Sequence, residues 1–191
     1  MENKVTYFAY GANRDPRMMA WITGNENLIP KPAVLEGFTL CVQRLDQVPD
    51  TPFPTSPVPL SPRGILKQSW PDTFTTYIIK EDPKGKVAGN IYELTLLERE
   101  LVRDWEMIDY GWYKDYRGKA KIQEGREVDV QIEGLREGQE VDREIDGMDY
   151  ETWLNPPEDF KRVAEKSRRE YFERMGLVLE GKARSGIENK P

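Results

Sequence analysis

Two short stretches hold residue types that could bind a ligand or move a proton. The first is "YGAN", from Tyr10 to Asn13, where Gly11 lets the backbone approach a ligand closely. N–H groups at such a turn, next to a helix N-terminus, can converge on an anion. The second is "DWEMIDYGWYKDY", in which carboxylates lie among aromatic rings. Rings that desolvate a carboxylate raise its pKa toward neutral, as a general acid or base requires.

Both stretches also have a structural interpretation. Glycine is common where a strand turns into a helix, and core aromatic rings often stand beside solvent-facing acids. Structural ion pairs shift the pKa of carboxylates, just as catalytic sites do. The two stretches are therefore candidates, and the elements around them decide whether they can meet.

The absence of histidine from the 191-residue chain limits the chemistry. Ser-His-Asp and Cys-His arrangements, histidine general bases and histidine-rich metal sites are excluded. Acid–base chemistry must use carboxylates, lysine, tyrosine or the single thiol, Cys41. Cys41 lies in an apolar, strand-like run, so we expect a buried and unreactive thiol; a thiol enzyme is the alternative.

The net charge of −6 is carried by acidic and basic residues that intersperse along most of the sequence. Such a distribution disfavours a nucleic acid or an anionic membrane as the main partner. No apolar run approaches the roughly 18 residues of a membrane span, and the N-terminus lacks a secretory signal pattern. We therefore expect a cytoplasmic protein, and a single cysteine fits a reducing compartment.

The elements on either side of "YGAN" follow from simple local signals. Val5 to Tyr10 is short, aromatic and β-branched, which predicts a buried first strand. Asp15 stands where a helix N-cap belongs, and Pro16 where the first helical residue belongs. We predict a strand, a glycine turn and a helix in succession, with the helix ending at Gly24.

The middle of the chain predicts further strands and one long loop. Residues 33–45 read as a strand that Glu36 and Gly37 bend or bulge. Six prolines within residues 46–64 predict an extended loop without helix or ladder, either a lid or binding loop or a solvated insertion. "TFTTYIIK" and "VAGNIYELT" predict two strands joined by a turn at "EDPKGK".

A helix and two strands surround the aromatic and acidic stretch. Thr95 and Glu98 form a capping-box pattern, which predicts the start of the helix "LLERELVRDWEMI". "WYKDYRGKAKIQ" and "EVDVQIEGL" predict two strands joined around Glu124 and Gly125. The residues expected on or near the inner side of the helix are Leu96, Leu97, Leu101, Val102 and Trp105.

A last helix is predicted to begin at Pro156 and Pro157. Its first turn is acidic and its later part basic, an order that suits the helix dipole. Gly176 would end the helix. The residues expected in its buried stripe are Phe160, Val163, Ala164, Tyr171 and Met175.

Three motifs, taken in order, resemble the γ-glutamylcyclotransferase-like proteins, a group that includes γ-glutamylamine cyclotransferases and AIG2-like proteins. "YFAYGAN" is similar to the family's "Y-x-A-Y-G-S-N-L" opening, and "VAGNIYELT" to its "V-x-G-x" strand with a following hydrophobic and aromatic residue. "DWEMIDYGWY" is similar to an element in which an Asp precedes a Glu-Gly pair and a Tyr follows after about five residues. The resemblance covers roughly Val5 to Ile122.

The resemblance implies an α+β fold, a small mixed β-barrel flanked by helices, whose cavity floor holds the motif loop and one glutamate. By motif position that glutamate is Glu106, the expected catalytic residue, and neither a metal nor a cofactor is implied. The family releases 5-oxoproline from a γ-glutamyl amide or peptide. The expected partner is therefore a small-molecule γ-glutamyl substrate, bound by a monomer or a homodimer. The expected substrate-binding residues are Tyr10, Gly11, Ala12, Asn13 and Tyr113.

Three positions depart from the family's pattern. Ala12 replaces a serine, Arg14 a leucine, and Met107 the glycine that follows the glutamate. Ala12 removes a hydroxyl contact, and Met107 would shrink the cavity or alter the choice of substrate. These departures leave an alternative open, a non-catalytic small-molecule-binding module on the same fold.

The resemblance also predicts how the chain is organised. Residues 1–150 would form the γ-glutamylcyclotransferase-like domain, which contains the proline-rich loop 46–64. A C-terminal helical extension would follow over residues 151–180. Residues 181–191 are small and polar, which predicts a disordered tail.

Overall fold

The computed structural model describes residues 3–123 and 125–176, and within them one mixed sheet is flanked by helices. The strands are β1 (Lys4–Ala9), β2 (Lys31–Arg44), β3 (Thr75–Thr95), β4 (Tyr113–Ile122), β5 (Glu127–Leu135) and β6 (Arg143–Ile145). The helices are α1 (Pro16–Thr23), α2 (Pro62–Leu66), α3 (Leu96–Trp105) and α4 (Pro157–Arg174), with 3-10 turns at Gly11–Arg14 and Leu45–Gln47. None of the helices in these ranges is long and apolar enough to cross a membrane.

The sheet curls back on itself. Its strand order is β3-β1-β5-β4-β2-β6, and β3 pairs with β2 as well as with β1. Strands β1 and β5 are parallel, whereas the other pairs are antiparallel. The α+β class with a mixed, barrel-like sheet is therefore confirmed, and the closed pairing leaves few open edges.

The sheet separates two apolar clusters. Alternation along β1 places Phe8 in a cluster made mainly of strand residues, and Tyr7 and Ala9 in the other. This second cluster fills the space between the opposite face of the sheet and the helices. Because Tyr7 points toward the helices, its hydroxyl lies on the side of the sheet where α3 ends.

Strand β3 corrects the predicted hairpin at "EDPKGK". The chain does not reverse there, since β3 runs unbroken through 21 residues and pairs with β2 on both sides of this segment. The register shifts between Glu36 and Phe38, so residues 82–85 lie opposite Gly37 as an enlarged bulge. Gly37, with φ 84°, confirms that β2 is irregular at the predicted bend or bulge, although the extra residues lie in β3. The turn residues therefore serve a bend within one long strand.

The predicted strand, glycine turn and helix are confirmed. Strand β1 leads into the 3-10 turn, where Gly11 has φ 58°. The side chain of Asp15 accepts a hydrogen bond from the backbone N–H of Arg17 as the N-cap of α1, and Pro16 is the first helical residue. Gly24 closes α1 in the left-handed conformation. Local signals thus fix this junction.

The proline-rich loop 46–64 is irregular in its middle, but the expectation of no helix within it is wrong at both ends, where the 3-10 turn Leu45–Gln47 and α2 overlap it. Pro62 is the first residue of α2, because a proline lacks only an N–H that this position leaves unpaired. Ser61 caps the helix through its side chain. Phe53 packs against Gly111, where a Cβ atom would lie 2.5 Å from its ring. The loop therefore covers the turn that follows α3.

Helix α3 begins with the predicted capping box of Thr95 and Glu98. The expectation that Leu96 and Leu97 face inward is wrong, since they are 56% and 44% exposed. Glu98 and Arg99 take the buried positions of the first turns, because hydrogen bonds compensate their burial. The expected inner positions of Leu101 and Val102 are confirmed, and Trp105 is partly buried.

Helix α4 packs against α1 and α3. Phe160 and Ala164 are buried and Val163 and Tyr171 partly buried, as predicted. The prediction for Met175 is wrong: the residue caps the helix end and is 58% exposed. The assignment of residues 151–180 as an extension remains a prediction. The predicted tail, 181–191, lies outside the described residues.

Candidate active site

A pocket of about 130 Å³ lies where the 3-10 turn, the end of α3 and the start of β3 face α4. Both candidate stretches of the sequence contribute to it. All six residues that the sequence predicts for the site line this pocket: Tyr10, Gly11, Ala12, Asn13, Glu106 and Tyr113. The fold therefore brings together side chains that lie about a hundred residues apart.

Glu106 directly follows the last turn of α3, and its backbone N–H donates to the carbonyl of Val102 at 2.9 Å. Its carboxylate oxygen Oε1 accepts a hydrogen bond from the Asn13 amide at 2.7 Å. Burial raises the pKa of Glu106 well above its usual range, and the charge of Glu133 raises it further. The Asn13 hydrogen bond and the Arg99 charge lower it. A carboxylate of raised pKa is suited to accept a proton and to return it.

Asn13 connects Glu106 to a second carboxylate, that of the buried Glu133. Its amide nitrogen also donates to the hydroxyl of Tyr7 at 3.1 Å, since one amide carries two protons. The Tyr7 hydroxyl donates to the carboxylate of Glu133. Burial and the charge of Glu133 raise the pKa of Tyr7, so the hydroxyl keeps its proton. We call Glu106, Asn13, Tyr7 and Glu133 the carboxylate chain.

Glu133 is the site residue that sequence analysis missed. It lies in β5 and is 1% exposed. Its Oε2 atom has no hydrogen-bond partner among the described residues, although Arg99 Nη1 lies 3.5 Å away. Alternation along β5 places Glu133 on the face of Asp129 and Gln131, which is typical of a solvent face. The local pattern therefore held no signal that α3 would cover this side chain.

Arg99 supplies positive charge to the interior end of the carboxylate chain. It projects from α3, is buried, and donates from Nη2 to Asp115 at 2.8 Å. Its guanidinium lies 5.0 Å from the centre of the Tyr7 ring. Burial raises the pKa of Glu133, while Arg99 and the Tyr7 hydroxyl lower it. One buried cation therefore lies beside Glu133 and lowers the pKa of both glutamates.

Two hydrogen bonds anchor the 3-10 turn to other parts of the fold. The hydroxyl of Tyr10 donates to the backbone carbonyl of Glu133 at 3.0 Å, and the N–H of Gly11 donates to the Tyr150 hydroxyl at 3.2 Å. In a 3-10 helix each N–H donates to the carbonyl three residues back, so the N–H of Asn13 is engaged by the Tyr10 carbonyl, whereas that of Ala12 has no acceptor inside the helix. The N–H of Ala12 is therefore the one that can turn to a ligand, since that of Gly11 donates to Tyr150.

Tyr113 and Tyr116, at the end of the second candidate stretch, donate to groups other than Glu106. The Tyr113 hydroxyl donates to the carbonyl of Tyr77 at 2.8 Å, and its ring forms part of the pocket wall. The Tyr116 hydroxyl donates to the carbonyl of Leu135 at 2.7 Å, away from the pocket. Tyr113 therefore shapes the wall, and Tyr116 holds the sheet.

Two departures from the family pattern have clear structural positions. Arg14 donates to the carbonyl of Tyr150 at 3.2 Å and to the hydroxyl of Thr152 at 2.8 Å, and its guanidinium lies over the Tyr150 ring. It therefore anchors the segment before α4. Met107 lines the pocket beside Glu106 and has φ 51°, the left-handed conformation that glycine adopts more readily.

Cys41 lies apart from the pocket. It is buried in the middle of β2, between β3 and β6. Burial raises the pKa of its thiol to about 11, so the thiolate is scarce near neutral pH. The geometry therefore favours the buried, unreactive thiol over a thiol enzyme.

Comparison with known proteins bears on the fold. The sequence matches no protein-family model and no curated protein. A solved gamma-glutamyl cyclotransferase has a TM-score of 0.56 and 16% identity, over 97% of this chain and 94% of its own. An uncharacterized protein from Homo sapiens has a TM-score of 0.55 and 16% identity, over 98% and 95%. The chain therefore has the γ-glutamylcyclotransferase-like fold, as its three motifs predicted.

Proposed function

We propose that this protein is a γ-glutamyl cyclotransferase-type enzyme that releases 5-oxoproline from a γ-glutamyl amide or peptide. The observation that carries the proposal is the position of Glu106, a carboxylate of raised pKa that lines the pocket and accepts a hydrogen bond from Asn13. The nucleophile is the substrate's own α-amino group, so the reaction requires a base and a shaped cavity.

The reaction closes a five-membered ring. The α-ammonium of the substrate gives a proton to Glu106, and the neutral amine attacks the γ-carbonyl carbon. When the tetrahedral intermediate collapses, the C–N bond to the leaving amine breaks and the proton passes from Glu106 to that nitrogen. Glu106 also takes up the second proton that the ring nitrogen must lose and passes it to the departing amine. The products are 5-oxoproline and the ammonium form of the amine, and the carboxylate is regenerated.

The 3-10 turn supports the negative end of the substrate. The N–H group of Ala12 would bind either the α-carboxylate or the oxyanion that develops on the γ-carbonyl. The bond from the Gly11 N–H to Tyr150 holds the turn in place and leaves the N–H of Ala12 for the ligand. A fixed donor of this kind needs no rearrangement when charge develops.

The carboxylate chain sets the proton affinity of the base. A negative Glu133 disfavours a second negative charge on Glu106, which keeps the pKa of Glu106 high. Asn13 holds the carboxylate in one orientation through its 2.7 Å hydrogen bond. A base with a raised pKa is stronger and returns its proton to the leaving amine within the same cavity.

The decisive experiment measures 5-oxoproline by mass spectrometry after incubation with γ-glutamyl amides and γ-glutamyl dipeptides. Glu106→Gln keeps the shape of the side chain and removes the base, so we expect release to fall by about 100-fold or more. Asp109→Asn is the matched control, because Asp109 is an exposed carboxylate near Glu106 in sequence that pairs with Arg103. Wild-type rates in folded Glu106→Gln would refute the assignment.

The second candidate function is a binding module on the same fold. The Met107 side chain beside Glu106, on a residue with left-handed backbone, favours this function. A larger residue at this point narrows the space around the reacting group. Calorimetry with 5-oxoproline and with a γ-glutamyl amide separates the two functions. Binding of either compound without turnover of any amide would favour the module.

A further inference from the structure

One wall of the pocket is built from packed aromatic rings. The rings of Trp70 and Phe74 have centroids 4.6 Å apart, and those of Trp70 and Phe160 are 4.8 Å apart. Trp105 continues the series, 6.4 Å from Phe160. All four residues line the pocket. They come from α3, α4 and the connection between α2 and β3, and together we call them the aromatic wall.

The charged side chains around the aromatic wall are already paired with each other. Asp104 accepts from Arg174 at 2.6 Å and from the hydroxyl of Tyr110 at 2.9 Å. Lys166 lies 3.6 Å from Glu170, one turn away on α4. A charged ligand group would have to break one of these pairs. An uncharged ligand group leaves both in place.

If the proposed function holds, the α-amino group of the substrate must reach Glu106, and an anionic group of its glutamyl end binds the N–H of Ala12. The group carried by the amide nitrogen must then occupy the rest of the same pocket, which Trp70 and Phe160 line.

We propose that the leaving amine carries an uncharged aromatic ring, which packs between the aromatic wall and Val163 of α4. The proposal rests on the proposed function and adds the class of substrate to it. An aromatic ring gains apolar burial and ring packing at this wall. The carboxylate of an amino acid would compete with Asp104 for Arg174, and the ammonium of a lysine would compete with Arg174 for Asp104.

The test compares kcat/KM for four compounds: γ-glutamyl-2-phenylethylamide, γ-glutamylmethylamide, γ-glutamylalanine and Nε-γ-glutamyllysine. We expect the phenylethylamide to exceed each of the other three by at least about tenfold. An equal or higher value for any of the other three would overturn the aromatic assignment and leave the proposed function standing. Silence on all four compounds would overturn both.

A pair of variants on α4 tests the position of the ring. Val163→Asp places a carboxylate at the aromatic wall, so we expect kcat/KM for the phenylethylamide to fall at least about tenfold while that for the methylamide changes little. Arg169→Asp introduces the same residue at an exposed position of the same helix and should change neither. Thermal unfolding monitors the fold of both. A parallel loss on both substrates, or no loss in folded Val163→Asp, would place the ring elsewhere and overturn the proposal.

Discussion

Two glutamates share one hydrogen-bonded chain in the interior of this protein, and they cannot both be ionised cheaply. Glu106 faces the pocket, whereas Glu133 is buried beneath it and faces Arg99. Tyr7 and Asn13 connect the two carboxylates. The carboxylate chain therefore holds a proton near the pocket, and it lowers the free energy of unfolding of the protein.

The cost in stability leads to a prediction for the variant Glu106→Gln. The folded-state pKa of Glu106 lies above its unfolded value, so the folded protein binds more protons and its stability falls as pH rises from the unfolded toward the folded pKa. Removing the charge should raise the free energy of unfolding at pH 8 by roughly 1 kcal/mol, or about 2–4 °C in Tm. At pH 4 the two proteins should unfold alike. Calorimetric unfolding at both pH values checks this, and a less stable variant at pH 8 would contradict it.

Glu133→Gln should change the pH profile. The charge of Glu133 raises the pKa of Glu106, so the pKa should fall when that charge is removed. Burial still raises the pKa in the variant, and the Asn13 hydrogen bond and Arg99 still lower it. The acidic limb of kcat/KM against pH should therefore move to lower pH. Asp109→Asn, an exposed carboxylate, serves as the control and should leave the limb in place. An unshifted limb in Glu133→Gln would show that Glu133 carries no charge that Glu106 senses.

Met107 holds a conformation that costs a non-glycine residue about 1–2 kcal/mol. Met107→Gly and Met107→Ala both remove the side chain, but only glycine also relieves the strained φ. We expect the glycine variant to be more stable than the alanine variant by about 1 kcal/mol, measured by urea unfolding. Equal stabilities would mean that the surrounding chain absorbs the strain.

At the scale of elements, α4 closes the pocket from a distance along the chain. Arg168 ties it to the carboxyl end of α1 by donating to the carbonyl groups of Ala20 and Trp21. At the far end of the helix, Arg174 pairs with Asp104. Two separated anchors hold the helix across the pocket, so its position depends on α1 and α3 together.

Arg168→Ala removes the first anchor and leaves two carbonyl groups without that donor. We expect a loss of about 1–2 kcal/mol in stability and a higher KM for the γ-glutamyl substrate, with kcat changed less. Arg169→Ala, at the exposed neighbouring position, should change neither quantity. The measurements are urea unfolding and steady-state kinetics. A wild-type KM in Arg168→Ala would argue against α4 as part of the substrate wall.

At the scale of the whole molecule, β2 is the strand on which the sheet closes. It pairs with β3, β4 and β6, and Cys41 lies in its buried half. Burial also raises the pKa of this thiol to about 11. A reagent therefore reaches Cys41 only when the sheet opens.

Alkylation of Cys41 should accordingly report global unfolding. At pH 8 the native protein should label with iodoacetamide far more slowly than the urea-unfolded chain, where the thiol has its ordinary pKa. Labelling rates should rise with urea in step with the loss of circular dichroism. Rapid labelling of the native protein would show that the edge of the sheet near β6 opens locally.

Short sequence patterns were sufficient to predict those structural features that depend only on nearby residues. The N-cap at Asp15, the capping box at Thr95 and the bulge at Gly37 each depend on backbone geometry that a short segment settles. The order of the three motifs likewise gave the fold and singled out Glu106. Each of these features survives in the folded molecule because the tertiary structure reinforces the local preference.

What only the tertiary structure decided involves partners far apart in the sequence. The segment "EDPKGK" has the composition of a turn, yet pairing with β2 on both sides keeps it within one strand. Glu133 follows a solvent-face pattern, yet α3 covers it and Tyr7 and Arg99 bind it. The physical reason is that burial and charge pairing depend on which elements meet, and a side chain's own neighbours along the chain do not determine that.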